Sequence, residues 1–353
     1  MASIAQAIRM ALHVGETQLG VQDIFGEDVG PPLGGVFTCT QGLEKAWNSP
    51  LDERGIIGMA MGLALAEQKP VAEIQFVDYI FNTIDLMKLA GNTCWTTNGE
   101  FNIDMVVMSP TGSGVHGSVY HSHSFESIAT HMPGWKVIIV SNPLDAYGLL
   151  ISAIKDPNPV LFMYPKALIR TQTDDVIPGA PTDQKELSRM IDAPLGDRSK
   201  WKPEWPKTEV MEIPIGRAKK YTSGDKLTVI SYGRTLPLSV NAAKKINTER
   251  GRQDIEVMDL RTIYPYDWDA IKTSVEKTGR VLVVNEDTEV TNFGEHLIRR
   301  IANDCFYHLQ APPKLLAGAN TPGVGLAWTL EQVQVPQEDG IEKAMNELLN
   351  LEA

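Results

Sequence analysis

A two-domain α/β fold is what this sequence predicts, and three observations predict it. Helix-period runs and strand-like runs alternate along most of the 353 residues. The strand-like runs are short and apolar, as strands of a mostly parallel sheet covered on both faces must be. A proline-rich, charged stretch at residues 171–208 breaks the alternation once, which places residues 1–170 in one domain and 209–353 in another. With 43% hydrophobic residues, the chain can bury two ordinary cores.

Taken in order, Ile4, Ile8, Ala11 and Leu12 recur at helical spacing, and Val21–Phe25 reads as a short strand ending at Gly26. Pro50 disfavours helix at Ser49, so the next helix begins near Leu51 or later. From Ile56 to Glu67 that helix is apolar on all sides, with Gly55, Gly58 and Gly62 spaced for close backbone approach, which suits a buried helix. Val71–Phe76, Met105–Met108, Lys136–Val140 and Val160–Tyr164 read as strands, and Tyr79–Leu89 and Asp145–Ile154 as helices. The 171–208 stretch holds five prolines and reads as a long surface linker with one short helix near Gln184–Ile191. Beyond it, strands at Leu227–Tyr232, Ile255–Asp259 and Val281–Val284 alternate with helices at Pro237–Thr248, Ala270–Thr278 and Phe293–Asn303.

Composition excludes several classes. A formal net charge of −12 and the absence of Lys/Arg runs argue against nucleic-acid binding. No stretch approaches the ~18 apolar residues of a membrane span. Cys39, Cys94 and Cys305 stand far apart, with no CxxC spacing, so they read as small hydrophobes in a reducing compartment. No charged leader with an apolar core and no Arg-rich transit peptide precedes the first helix, so the expected compartment is the cytoplasm.

Two clusters can carry chemistry. Glu53 falls in the first turn of a Gly-rich apolar helix, beside the positive end of its dipole; it is either a helix-start acid or a carboxylate tuned for proton transfer. His116, His121, His123 and His131 lie close together in sequence. No helical His-x-x-x-His and no nearby Cys supports a metal there, and acid–base work suits imidazole better. Gly112–Gly117 matches GxGxxG, yet the polar, aromatic SVYHSHSFE follows it instead of an apolar helix. A loop passing close to a ligand fits it better than a dinucleotide fingerprint. The sequence holds no GxxxxGK[ST], GxSxG or HExxH, and no Gly-Asp-Gly followed about 30 residues later by Asn-Asn.

In order, the runs FGEDVG, GGVFTCTQGL, SPLDERGI, EIQFVDYIF, SPTGSGVHG, YHSHSFE, PGWKVIIVSNP, IKDPNPVLF, DLRTIYP and EKTGR resemble the beta subunits of thiamine-diphosphate-dependent 2-oxo acid dehydrogenases. EIQFVDYIF with HGSVYHS is most similar to the branched-chain type. The resemblance implies a transketolase-like pyrimidine-binding domain and a transketolase-like C-terminal domain. It implies thiamine diphosphate shared with an alpha subunit, which holds the magnesium and the missing diphosphate motif, in an alpha2-beta2 assembly. It implies oxidative decarboxylation of a 2-oxo acid and acyl transfer to a lipoyl acyltransferase. Glu53 matches the carboxylate that bonds the cofactor's aminopyrimidine, Leu51, Gln75 and Tyr79 match positions lining that ring, and His121 matches the histidine facing the reacting carbon. Tyr79 is otherwise a half-buried helix residue. Ala153, Asp156 and Asn158 resemble a monovalent-cation site of potassium type; a capped turn is the equal alternative for the two side chains. The chain departs from the family pattern at GNTCWTTNGE, Ser49, His123, Val290–Phe293 and Asn320. A pyruvate or acetoin dehydrogenase beta subunit, or a non-catalytic assembly subunit, is the competing reading.

Overall fold

The computed structural model describes residues 1–198 and 200–351. Ser199, in the expected linker, and Glu352 and Ala353, at the end of the second expected domain, lie outside the described residues. In chain order the elements are α1 (Ile4–Gln18), β1 (Ile24–Gly26), β2 (Ala46–Asn48), α2 (Glu53–Leu65), β3 (Val71–Glu73), α3 (Ile84–Thr96), β4 (Val106–Thr111), α4 (Glu126–Thr130), β5 (Lys136–Ile139), α5 (Pro143–Lys155), β6 (Val160–Pro165) and α6 (Gln184–Ile191). There follow β7 (Lys219–Lys220), β8 (Leu227–Ser231), α7 (Thr235–Arg250), β9 (Ile255–Asp259), β10 (Thr262–Tyr264), α8 (Trp268–Thr278), β11 (Val281–Thr288), α9 (Phe293–Asp304), β12 (Lys314–Gly318), α10 (Trp328–Gln334) and α11 (Glu338–Leu349). They form an α/β protein of two compact units. One comprises Met1–Pro110, His131–Tyr164 and Leu168–Ile215; the other comprises Thr111–Thr130, Pro165–Ala167 and Gly216–Ala353.

In the first unit six strands lie in the order β5-β6-β4-β3-β1-β2. The pairs β1–β2, β1–β3, β3–β4 and β5–β6 run parallel. Helix α1 starts on a reciprocal cap: Gln6 N donates to Ser3 Oγ at 3.3 Å, and Ser3 N donates to Gln6 Oε1 at 2.9 Å. It packs along α5, which starts on Asn142 with Pro143 in its first turn. Register fixes where the site can form. Gly26 lies beside Asn48 on one side and Glu73 on the other. Glu27–Asp28, Ser49–Glu53 and Ile74–Gln75 therefore leave the sheet at the same carboxyl edge, where open α/β sheets bind ligands.

Helix α2 departs from the buried helix that its composition suggests. Ile56, Ile57, Ala60, Met61 and Ala64 are buried, while Gly58, Met59, Gly62 and Leu65 are exposed. An apolar surface all round needs cover on two sides, and the sheet of one chain covers one.

Apart from α6, the described residues of the expected linker form turns, bends and irregular backbone, and they are fastened to the first unit. Leu187 and Ile191 of α6 are buried, and Gln6 donates to Ser188 Oγ and Asp192 Oδ2. Buried Arg9 reaches the Ile191 carbonyl and Asp192, and Trp205 stacks on His13 with centroids 4.2 Å apart. Further along, Tyr147 Oη donates to the Glu209 carbonyl and Ser152 Oγ to the Ile213 carbonyl. Gly148 makes this possible, because a Cβ there would stand 2.6 Å from Ile213. Proline removes backbone donors, so a strap of this composition is held by such side-chain bonds instead of a sheet.

The second unit builds a five-stranded sheet, β12-β11-β8-β9-β7, parallel except for the β7–β9 pair. Ile341, Met345 and Leu348 of α11 share one core with Leu236, Val240 and Ile246 of α7 and with Val229, Val257 and Val284 of the sheet. Among the described residues, no helix is long and apolar enough to cross a membrane.

Candidate active site

Four of the expected site residues lie in the first unit, at the carboxyl edge defined above. Glu53 opens α2, with Asp52 as N-cap, so the proline before it sets the helix start as the sequence predicts. The Glu53 carboxylate is half-buried and accepts from Asn82 Nδ2 at 3.2 Å. Gln75 Nε2 donates to Asp28 Oδ2 at 3.2 Å and to the Glu27 carbonyl at 3.4 Å. Asp28 holds a left-handed backbone, φ 59°, to present that carboxylate. Partial burial, then the charges of Asp28 and Glu53, push the Glu27 carboxyl above its usual value.

Tyr79 is on a tighter helix than expected. Val77–Thr83 is a 3-10 turn that runs into α3. Residues three apart eclipse in such a turn, so Tyr79 lies on the face that carries Asn82, the partner of Glu53. The Tyr79 ring meets Phe76 edge-on at 5.7 Å, and Phe76 meets Phe37 edge-on at 6.2 Å. Leu51 is 73% exposed in the loop before α2. A carboxylate, two side-chain amides and an aromatic ring thus gather on the residues of this edge. Glu27, Asp28 and Asn82 join the residues singled out from the sequence. The first two follow a strand that stops at a glycine, a signal that can be read; Asn82 carries none.

Behind this edge, Glu73 is buried and accepts from Tyr164 Oη at 3.0 Å. Burial pushes its carboxyl up to about 7, against that hydrogen bond. Burial, and then the Glu73 charge, push the Cys39 thiol far up. Cys39 is thus an inert core thiol, and Cys305 is buried as well.

His121 belongs to the second unit, on the segment Thr111–Thr130 that packs there. So do His116 and His123, whereas His131 lies in the first unit. Among the described residues, no group of three or more His, Cys, Asp or Glu can hold a metal ion. The glycine-rich loop is occupied by the chain itself. Ser113 N and Oγ donate to Glu286 Oε2 at 3.3 and 2.9 Å, and Gly114 N donates to Glu331 Oε2 at 3.0 Å. Gly112 has φ 79°, and a Cβ on it would fall 1.9 Å from Glu286 Oε1. Gly112 N donates to the His123 carbonyl at 2.9 Å, which closes the loop that carries His121. Nearby, burial and then Asp287 push the Glu126 carboxyl up, and Ser127 Oγ bonds Asp287 Oδ2 at 2.5 Å.

At the third expected site, Asp156 Oδ1 accepts from Asn158 N and Nδ2, both at 3.0 Å, and Lys136 Nζ pairs with Asp156 Oδ2. Asp156 N donates to the Ala153 carbonyl at 3.2 Å. Both carboxylate oxygens thus have partners within the chain.

Residues 3–172 match the family described as transketolase, pyrimidine binding domain, and residues 216–341 match transketolase, C-terminal domain. A solved chain described as "Split gene transketolase, inactive beta4 tetramer" shares the fold over 100% of both chains, with a TM-score of 0.71 and 15% identity. Fold and site together define a transketolase-like protein with a pyrimidine-binding unit. Among relatives, the 2-oxoisovalerate dehydrogenase subunit beta of Bacillus subtilis is 35% identical, covering 92% of this chain and 91% of its own. The mitochondrial subunit beta 2 of Arabidopsis thaliana is 33% identical, covering 99% and 89%. The pyruvate dehydrogenase E1 component subunit beta of Acholeplasma laidlawii is 34% identical, covering 90% and 88%. The chain belongs to the family of beta subunits of the thiamine-diphosphate-dependent 2-oxo acid dehydrogenases.

Proposed function

We propose that this chain, joined to an alpha subunit, carries out oxidative decarboxylation of a branched-chain 2-oxo acid and delivers the acyl group to a lipoyl acyltransferase. The observation that carries the reading is the Glu53–Asn82 pair at the carboxyl edge shared by β1, β2 and β3, within a chain whose relatives include 2-oxoisovalerate dehydrogenase beta subunits. Thiamine diphosphate, when bound, supplies the carbon nucleophile and the electron sink. Glu53 would hold a proton at Oε1 or Oε2 and exchange it with the aminopyrimidine edge, with Asn82 fixing the carboxylate. Tyr79 and Leu51 would flank the ring, and Gln75, anchored on Asp28, would fix one rim of the pocket. His121 would serve the acyl-transfer step.

The alpha subunit would contribute the diphosphate and magnesium contacts, for which this sequence has no motif. The open apolar face of α2 supports a partner chain, and the proposed assembly is alpha2-beta2, in line with the closed symmetry common among oligomers. The cytoplasm is the proposed compartment, although some relatives are mitochondrial. A potassium ion at Ala153, Asp156 and Asn158 would compete with the Lys136 ammonium for Asp156. A thermal midpoint of the assembled complex that rises in KCl over choline chloride at equal ionic strength supports the cation; equal midpoints leave a capped turn.

The Acholeplasma relative sustains one other reading, pyruvate as substrate. Steady-state assay of the reconstituted complex with 3-methyl-2-oxobutanoate, pyruvate and acetoin separates them. The highest kcat/KM on the branched substrate is expected, and a preference for pyruvate or acetoin overturns the assignment.

A further inference from the structure

The second unit contains a device that the sequence motif conceals. Gly112, Ser113 and Gly114 look like a phosphate cradle, yet the anions at the Ser113 and Gly114 amides are the chain's own carboxylates. Glu286, on β11, takes both donors of Ser113. Glu331, on α10, is 2% exposed and takes the Gly114 amide; the same Oε2 lies 3.5 Å from His116 Nε2. His116 Nδ1 is 3.0 Å from the Leu326 carbonyl, so the ring bridges the loop to the segment before α10. The positive φ of Gly112 and of Gly114, 79° and 102°, turns these amides toward the carboxylates. The far end of the loop returns to the same root through the bond from Gly112 N to the His123 carbonyl. Within it, the His121 ring faces Gly117, where a Cβ would stand 3.7 Å away.

We infer that Glu286 and Glu331 are positioning residues for His121, resting on the acyl-transfer role proposed for that histidine. Hydrogen bonds from amides to a carboxylate are roughly twice as strong as neutral ones, so two of them fix the backbone at the root of the loop. A reacting group misplaced by about 1 Å costs on the order of 100-fold in rate. The clamp holds the histidine loop in register.

The test uses the assembled alpha–beta complex and a lipoylated acyltransferase domain. Glu286→Gln, Glu331→Gln and His121→Ala are each measured in two half-reactions: decarboxylation with an artificial electron acceptor, and acylation of the lipoyl domain. Both Gln variants should lose roughly 10–100-fold in acylation kcat, with decarboxylation within about threefold of wild type. An intact His121→Ala acylation rate sinks the histidine role and this inference with it. Loss in His121→Ala but none in the Gln variants overturns the positioning role alone, as does equal loss in both half-reactions. Should either Gln variant fail to assemble, Ser113→Ala removes one donor to Glu286 and keeps the backbone bond. A selective loss of acylation in that variant supports the clamp, and an unchanged rate overturns it.

Discussion

Glu53 has two competing accounts that differ in what a single atom change does. Glu53→Gln preserves volume, so assembly should persist. A helix-start charge is worth only about 0.3–1 kcal/mol near the surface. If Glu53 relays a proton, exchange of the cofactor C2 proton in the assembled complex should slow by roughly 100-fold to 10,000-fold, read by rapid quench and NMR. Exchange at the wild-type rate would remove the relay. Glu73 makes a prediction of opposite kind, about stability. Its carboxyl moves from an ordinary 4.5 to about 7 in the folded chain. At acid pH both states hold the proton, so the shift contributes nothing. As pH rises the unfolded chain releases its proton first, and the cost to the folded state is complete above about 7, near 3 kcal/mol. Glu73→Gln keeps an acceptor for Tyr164 and should therefore gain on wild type between pH 5 and pH 8, seen as a growing difference in thermal midpoint. A difference that stays constant with pH is the contrary result.

At the scale of elements, the strap after β6 depends on a missing side chain. Gly148→Val would drive a methyl group into Ile213. Overpacking of this kind costs typically 1–3 kcal/mol, and the variant should be cut faster by protease in the 171–208 region, with a lowered thermal midpoint. Cleavage at the wild-type rate would mean that the strap is held elsewhere, at Arg9 and α6. Several elements announce themselves locally. Pro50 marks the start of α2, and Asp183 caps α6, whose Leu187 and Ile191 face inward. Others do not. Strands β2 and β7 have three and two residues, too few for any period to show. Helix α11 carries its signal in Ile341, Met345 and Leu348, but lies beyond the alternation that marks out the two domains. Tyr79 falls in an apolar run that suits α-helix and 3-10 turn equally. The exposed half of α2 has the composition of a core, because sequence records that a surface will be covered and not by which chain.

For the molecule as a whole, the first expectation is incompleteness. Alone, the chain should bind thiamine diphosphate weakly or not at all, because it lacks a diphosphate motif. Calorimetry showing tight, magnesium-dependent binding by this chain alone would contradict the shared site. With its alpha partner it should reach the mass of an alpha2-beta2 particle by light scattering; a persisting monomer is the contrary result. How the histidine loop is anchored could not be read from any local pattern. Ser113 and Glu286 are 173 residues apart, and Gly114 and Glu331 are 217 apart. That spacing has a consequence for biosynthesis. At about 5–20 residues per second, Gly114 leaves the ribosome roughly 10–40 s before Glu331 is made. The nascent first unit can complete its strands during that interval, while the loop bearing His121 waits first for Glu286 of β11 and then for Glu331 of α10. A message truncated before Glu286 would therefore yield a chain with every strand of the first unit made and neither clamping carboxylate for the histidine loop.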